Sequence, residues 1–148
     1  MGLFNLIWFL VFGLINSIVY LVLSLIFAIT IIGIPIAKSM LQFAKLSAFP
    51  FGKEVIRETE LKGKENVSGF RKIGGIILNI IWFPLGLILS LVHLVLGILA
   101  FVTIIGIPIG VVYVRMSKFL LFPIGAKVVS NKQAIASAVA NEISKREN

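Results

Sequence analysis

His93 is the side chain whose chemistry first invites a functional interpretation, because an imidazole can bind a metal ion, move a proton or join a catalytic triad. It is the only histidine, and the segment around it, from Ile73 to Val114, contains no aspartate, glutamate, lysine, arginine or cysteine. A metal site or a triad would therefore lack its other members. Proton sensing is compatible with an unperturbed pKa of about 6.5, but an interfacial packing role is the simpler interpretation.

Amide and hydroxyl side chains form a second set of candidates, because they recur at matching positions in two apolar segments. Asn5 and Asn79 each precede a tryptophan by three residues. The simpler interpretation is a hydrogen bond between helices, with the indole as an interface anchor, and the alternative is the lining of a pore or ligand site. Thr30 and Thr103 are expected to bond back to their own helix. The candidate pore or helix-packing residues are Asn5, Asn79, Ser17, Ser90, His93, Thr30 and Thr103.

Enzymatic chemistry is not supported by the sequence. Neither apolar segment contains a carboxylate for a proton relay, and the chain has no cysteine. No phosphate-binding loop or dinucleotide fingerprint occurs, and Gly74 and Gly75 are interpreted as points of close helix packing. We therefore predict that the protein is not an enzyme and has no catalytic residue, metal ligand or cofactor.

The distribution of charge indicates the elements that carry these residues. No charged side chain lies between Leu3 and Ala37 or between Ile73 and Val114, and we call these stretches the apolar blocks. Each is longer than the roughly 20 residues that cross a bilayer, whereas apolar helices of soluble cores usually stop at about 10 to 14. The first eight residues contain no basic side chain, so the first block is not expected to be a cleaved signal peptide. The sequence predicts an integral protein of the plasma membrane.

The two apolar blocks are copies of one unit. Asn5–Trp8 recurs as Asn79–Trp82, with the asparagine and the tryptophan retained, and Thr30–Ile36 recurs letter for letter as Thr103–Ile109. The spacing between the copies shortens by one residue between these two motifs, and a Phe-Pro-x-Gly sequence follows in each copy. Chance alignment of apolar residues would not preserve Trp, Pro, Gly and Thr in order, so the sequence predicts tandem repeats.

The paired Asn-x-x-Trp, Gly-Ile-Pro and Phe-Pro-x-Gly elements resemble the YccF family of small bacterial inner-membrane proteins. The resemblance covers nearly the whole chain and implies an inner-membrane location and a duplicated domain. Residues 1–72 would form the first membrane repeat with a basic cytoplasmic segment, and residues 73–148 the second repeat with a cytoplasmic C-terminal helix. The resemblance implies no activity, so no catalytic or ligand residue can be carried over from it.

Basic residues flank the apolar blocks. The segment from Lys38 to Lys72 contains eight lysines and arginines and four glutamates. The segment from Arg115 onward contains six lysines and arginines and two glutamates. The positive-inside rule predicts that both segments and both termini are cytoplasmic, so each block would cross the membrane twice. This rule explains the net charge of +8 without a nucleic-acid partner. In the competing topology each block crosses once and the second repeat is inverted.

Two crossings per block require a turn inside each block. The predicted turns lie near Gly13–Ser17 in the first repeat and at Pro84–Gly86 or Ser90–His93 in the second. The first arm, Leu3–Ile15, would be about 20 Å long and therefore short, tilted or re-entrant.

The Gly-Ile-Pro elements predict the ends of the membrane helices, because proline removes a backbone donor and disfavours helix before it. The predicted helix breaks are Gly33, Pro35, Gly106 and Pro108. Beyond the first break Lys38, Gln42 and Lys45 share one helical face, which predicts an amphipathic helix at the level of anionic lipid headgroups. The basic residues assigned to lipid headgroups or to the cytoplasmic rim are Lys38, Lys45, Arg71, Lys72, Arg115 and Lys118.

The remaining segments complete the predicted fold. Val55 and Val128 are equivalent in the repeat and lie in β-prone stretches that could pair, and Ser130 with Gln133 forms a capping box for a final helix. We predict an all-α membrane protein with two tandem repeats. Each repeat would be a transmembrane helical hairpin plus an interfacial amphipathic helix, with short cytoplasmic β segments and a C-terminal helix.

Two classes of function remain open. One is a homo-oligomeric pore or transport component, lined by asparagine, serine and threonine, with basic cytoplasmic rims. The sequence favours it slightly, because small and polar residues recur in the apolar blocks. The other is a non-conducting scaffold or accessory subunit that binds lipids or another membrane protein.

Overall fold

In a computed structural model that describes residues 2–147, the chain is built mainly from helices. The elements in chain order are α1 (Gly2–Trp8), α2 (Leu14–Ala28), α3 (Ile34–Ala48), β1 (Lys53–Arg57), α4 (Glu58–Lys62), α5 (Gly69–Phe101), α6 (Gly106–Leu121), β2 (Ala126–Ser130) and α7 (Asn131–Glu147). A π-helical turn, Phe9–Gly13, joins α1 to α2, and a 3₁₀ turn, Lys64–Asn66, precedes α5. The predicted fold class of helical repeats with short strands and a C-terminal helix is confirmed.

Each apolar block forms one long helix. The first, Gly2–Ala28, has 27 residues and α5 has 33, and both are long and apolar enough to cross a bilayer. The chain reverses only after these helices, and α3 and α6 then pack back along them. The predicted turns near Gly13–Ser17 and at Pro84–Gly86 or Ser90–His93 are therefore wrong, and the first arm does not end at Ile15.

The residues that suggested early turns have other roles. A Cβ atom at Gly13 would lie 2.8 Å from the carbonyl oxygen of Ser47, and one at Gly86 would lie 2.6 Å from that of Leu120. These glycines therefore allow the two arms of each hairpin to approach closely. Pro84 lies inside α5 without ending it, as long membrane helices tolerate when their neighbours compensate for the lost backbone bond.

The π-helical turn explains why the spacing between the repeats changes. Trp8 and Gly13 are five residues apart, whereas their equivalents Trp82 and Gly86 are four apart. A π-helical turn absorbs one additional residue in an α-helix, and it lies between Trp8 and Gly13. As a result, the residues before and after this turn pack against the second arm in the same register as their equivalents in the second repeat.

Deleting Leu10 is therefore expected to leave the fold intact, because it gives the first long helix the spacing of the second. Deleting Val22 from regular α2 should lower the free energy of unfolding by about 3 kcal/mol or more, because Tyr20 and the residues before it lose their register with α3. Both deleted side chains are exposed. Denaturant unfolding in detergent micelles measures the difference, and equal losses would contradict this role of the π-helical turn.

Each long helix ends in a Thr-Ile-Ile-Gly turn. Thr30 donates through Oγ1 to the carbonyl of Phe27 at 3.2 Å and accepts the Gly33 amide at 3.0 Å. Thr103 makes the two equivalent bonds, at 3.3 and 3.0 Å. Both threonines thus bond locally, and Pro35 lies in the first turn of α3. The isoleucines between threonine and glycine are exposed, so both hairpin tips present apolar side chains.

The two long helices run past each other in opposite directions. Trp8, near the start of the first, packs against Tyr113 with ring centroids 5.5 Å apart, and Tyr113 lies beside Gly97, near the end of α5. Phe27, at the end of the first, packs against Trp82, in the first half of α5, at 5.9 Å.

The strands connect the repeats in a two-stranded antiparallel sheet in which Val55 faces Val128. These two valines are equivalent in the repeat, as an approximate twofold axis through the pair requires. Tyr20 and His93 are also equivalent, and their ring centroids lie 6.5 Å apart. The predicted pairing of the two β segments is confirmed.

The core lies between the hairpins, where α3 faces α6. The ring of Phe43 is fully buried, and its centroid lies 4.2 Å from that of Tyr20, 5.2 Å from Phe119 and 5.8 Å from His93. Other fully buried side chains of this core are Met40, Leu46, Met116 and Leu120. The long helices surround this core and leave much of their apolar surface exposed.

Candidate functional site

Asn5 and Asn79 each hold the turn that follows the second arm of their hairpin. Asn5 donates through Nδ2 to the Phe51 carbonyl and accepts the Phe51 amide through Oδ1, both at 3.0 Å. Asn79 makes the same pair of bonds with Ile124, at 2.9 and 3.0 Å. The bonds go to the backbone of a turn and not, as the sequence suggested, to a neighbouring helix.

The turns that these asparagines hold direct the chain into the sheet. The amide of Lys53 donates to the Pro50 carbonyl at 3.4 Å, and the equivalent bond in the second repeat is 3.2 Å long. Gly52 and Gly125 have φ angles of +83° and +87°, in the left-handed region that favours glycine. The Phe-Pro-x-Gly motif is thus a turn that begins each strand.

The two tryptophans are internal residues and not exposed interface anchors. Trp8 is 2% exposed and Trp82 is 3% exposed. Their indole Nε1 atoms donate to the carbonyl oxygens of Ser47 and Leu120 at 2.7 and 2.8 Å. Each indole satisfies a backbone acceptor near the end of the second arm, which a phenylalanine could not do.

His93 is buried in the core rather than at an outer turn. Its Nδ1 atom lies 2.9 Å from the carbonyl oxygen of Leu89, and its ring packs beside Phe43 and Tyr113. Among the side chains that the structure describes, no group of three or more histidine, cysteine, aspartate or glutamate residues could hold a metal ion. The geometry therefore gives His93 a packing environment.

The predicted serine candidates lie in different surroundings. Ser90 is buried, with its hydroxyl 2.9 Å from that of Ser117 on α6. Ser17 bonds to the Leu14 carbonyl in its own helix at 3.0 Å. The sequence did not single out Ser24, whose hydroxyl donates to the Ala37 carbonyl at 2.8 Å across the first hairpin. The equivalent position in the second repeat is a glycine, so recurrence between the repeats did not point to Ser24.

The basic residues divide into exposed and engaged groups. Lys38 and Lys45 on α3 and Lys118 on α6 are exposed. Arg115 instead joins the repeats, because it donates to the Lys53 carbonyl at 2.6 Å and lies 3.3 Å from the Glu54 carboxylate. The exposed cations on α3 and α6 are therefore lysines.

Arg71 and Lys72 lie in the first turn of α5, beside a buried carboxylate that the sequence did not single out. Glu58 lies 3.1 Å from the ammonium of Lys62 and 3.4 Å from the guanidinium of Arg71. Burial alone would raise the pKa of the Glu58 carboxyl, but the Lys62 hydrogen bond and the neighbouring cations hold this pKa below its ordinary value. Glu58 is therefore expected to remain charged at neutral pH.

A groove of about 610 Å³ opens next to this carboxylate, between α4, the start of α5 and the turn before β2. We call it the α4–α5 groove. Its cationic residues are Arg57, Lys64, Arg71 and Lys72, and its apolar residues include Ile76, Ile80, Phe122 and Ile124. Arg57 donates to the Phe122 carbonyl at 2.9 Å and thereby fixes one wall. The groove combines a basic rim with an apolar floor, a pairing that suits an amphiphilic anion.

Gly75 lines the groove and Gly74 precedes it on α5, and neither makes the predicted close helix contact. A Cβ atom at Gly74 would meet nothing within 4 Å, and one at Gly75 would meet only the Ile124 side chain, at 3.7 Å. That prediction was wrong because the surface of α5 at this point faces open space. The missing side chain of Gly75 widens the groove instead.

Sequence comparisons agree with the duplicated fold. A family model for the YccF inner membrane component domain matches residues 3–53 and again residues 77–126. Proteins named "Inner membrane protein YccF" from Escherichia coli (strain K12) and Shigella flexneri are each 33% identical to the chain over 139 residues, which is 93% of either partner. No solved structure matches the chain. With both halves matched by the family model and the relatives aligned over almost their whole length, the chain belongs to the YccF family of inner membrane proteins.

Proposed function

We propose that the protein is a non-conducting scaffold of the inner membrane that binds lipids at its basic face. The observation that carries this proposal is that the recurring polar side chains of the apolar blocks bond to the protein's own backbone. Asn5 and Asn79 each use both amide functions on a turn, and Thr30 and Thr103 each use their hydroxyl in a hairpin tip. A hydrophilic path would need such groups to face water or an ion.

The apolar surface of the long helices supports a location within lipid. Ile15 and Ile80, one from each long helix, are 69% and 67% exposed. Exposed apolar area on this scale marks a membrane or protein contact. Membership of an inner-membrane family supports contact between these helices and the lipid bilayer.

The basic segments support one orientation. Because β1 pairs with β2, the segments that follow the two hairpins belong to one layer. The positive-inside rule then favours a cytoplasmic location for this layer and for the termini. Multi-pass insertion and assembly into a homo-oligomer stay predictions, which cysteine accessibility from each side and the mass of the detergent-extracted protein would test.

Planar-bilayer recording of the purified protein tests the proposal against a pore. We expect no current above that of the lipid alone across voltages, membrane tension and salt concentrations, with a known channel reconstituted in parallel as a control for detection. Unitary currents that scale with the amount of protein, and whose ion preference changes in Lys38→Glu, would overturn the proposal in favour of a pore with basic rims.

A further inference from the structure

We propose that the α4–α5 groove is a binding site for one anionic phospholipid, with the phosphate at the basic rim and an acyl chain along α5. This inference rests on the proposed function, since it names the lipid class and the site. Nothing in the sequence of either repeat alone indicates it, because the walls come from both repeats. Arg57 follows the first hairpin, and Phe122 follows the second.

The charge of the rim favours an anion. Among the described side chains that line the groove, Glu58 is the one carboxylate, and it is matched by Lys62 and Arg71. The additional positive charges come from Arg57, Lys64 and Lys72. Lys72 donates to the Lys64 carbonyl, which holds the two lysines at the same edge of the groove. A phosphate diester there would meet an excess of positive charge.

The shape of the floor favours a lipid over free phosphate. Lys72, Ile76 and Ile80 follow each other at intervals of four residues on α5, so they form one stripe with a rise of about 6 Å between neighbours. The stripe runs from a cation to exposed apolar side chains, with Phe122 beside it. This is the order of groups in a phospholipid, from phosphate to acyl chain.

The position of the groove agrees with this occupant. Charged residues end at Lys72, and the apolar block begins at Ile73. In a membrane helix this transition lies at the headgroup level, where basic side chains meet anionic lipids. The groove therefore opens where a phospholipid of the surrounding leaflet could enter it laterally.

Native mass spectrometry of the detergent-purified protein tests the site with phosphatidylglycerol, phosphatidylcholine of the same acyl chains, and glycerol 3-phosphate. We expect one phosphatidylglycerol to bind more tightly than phosphatidylcholine, and glycerol 3-phosphate to bind far more weakly than either. Lys64→Gln with Lys72→Gln should reduce the phosphatidylglycerol affinity on the order of tenfold. The control pair Lys132→Gln with Arg146→Gln, on exposed α7, removes the same charge and should leave that affinity unchanged.

A second pair of variants tests the apolar floor. Ile76→Trp should fill the groove and reduce phosphatidylglycerol binding, whereas Ile81→Trp, an exposed position of α5 outside the groove, should not. Circular dichroism identifies any variant that fails to fold. If Ile76→Trp does not fold, the smaller change Ile76→Phe is compared with Ile81→Phe instead.

The outcomes separate this inference from the proposed function. Equal loss of binding in both lysine pairs, equal retention of the two phospholipids, or tight binding of glycerol 3-phosphate would overturn the groove as a phospholipid site. None of these binding results would imply a bilayer current, so none of them would contradict the non-conducting scaffold. Conversely, a current from protein that still binds phosphatidylglycerol in the groove would overturn the non-conducting scaffold and leave the site standing.

Discussion

Phe43→Ala is expected to lower the free energy of unfolding by about 3–5 kcal/mol, the usual cost of removing a buried phenylalanine. The ring is 0% exposed and contacts Tyr20 within its own repeat and Phe119 and His93 in the other. Its loss would leave a cavity on the approximate twofold axis, where both hairpins contribute to one core. Denaturant unfolding in detergent micelles, followed by tryptophan fluorescence, measures the change.

The matched control for this prediction is Phe70→Ala. Phe70 is 89% exposed at the start of α5, so the same truncation should change the free energy of unfolding by no more than about 0.5 kcal/mol. Similar losses at the two positions would mean that the core between α3 and α6 does not hold the repeats together.

The second large effect is expected at the hairpin tips. A Cβ atom at Gly106 would collide with the Ala100 carbonyl oxygen and lie 2.5 Å from the Thr103 hydroxyl. Gly106→Ala must therefore displace the backbone of the turn, and we expect a loss of about 3 kcal/mol in the free energy of unfolding. The same substitution at Gly33 should act similarly, because the two turns have the same contacts.

Gly74→Ala supplies the matched control, with the opposite sign. A Cβ atom at this helical position would meet nothing within 4 Å. Alanine is preferred over glycine in a helix by about 0.5–1 kcal/mol, so this variant should be slightly more stable than the parent. If Gly74→Ala and Gly106→Ala destabilise the protein equally, the tight turn is not the reason for glycine at position 106.

The sequence was sufficient to predict features that depend on order along the chain. The duplication follows from residue identity at a fixed spacing, the two apolar segments follow from the absence of charge, and the β-prone stretches around Val55 and Val128 predicted strands that could pair. The position of the turns did not follow, because an apolar run without periodicity has no internal signal for a reversal. Gly13 and Pro84 looked like such signals, yet Gly13 serves a close contact and Pro84 is accommodated in α5.

The candidate site was less predictable than the fold, because its walls meet only in three dimensions. Arg71 and Lys72 were recognised as basic residues at a membrane boundary, but Arg57 and Glu58 carried no distinguishing pattern among the charges around them. Asn5 and Asn79 were recognised by their recurrence. Recurrence cannot distinguish a side chain that holds a turn from one that lines a path, since both roles are repeated with the unit.

The pairing of β1 with β2 joins the repeats and brings the walls of the α4–α5 groove together. The chain has no cysteine, so Val55→Cys with Val128→Cys introduces the only pair. Directly opposed strand residues lie about 4.5–5.5 Å apart between Cα atoms, within the range of a disulfide. Val55→Cys with Ser130→Cys is the control, two residues out of register.

Oxidation of the two cysteine pairs in native membranes, followed by non-reducing electrophoresis, is the most direct test. We expect a rapid disulfide within one chain for Val55→Cys with Val128→Cys and a much slower one for the control. Disulfides formed only between chains, or at the same rate in both variants, would contradict the joined repeats and the groove that depends on them.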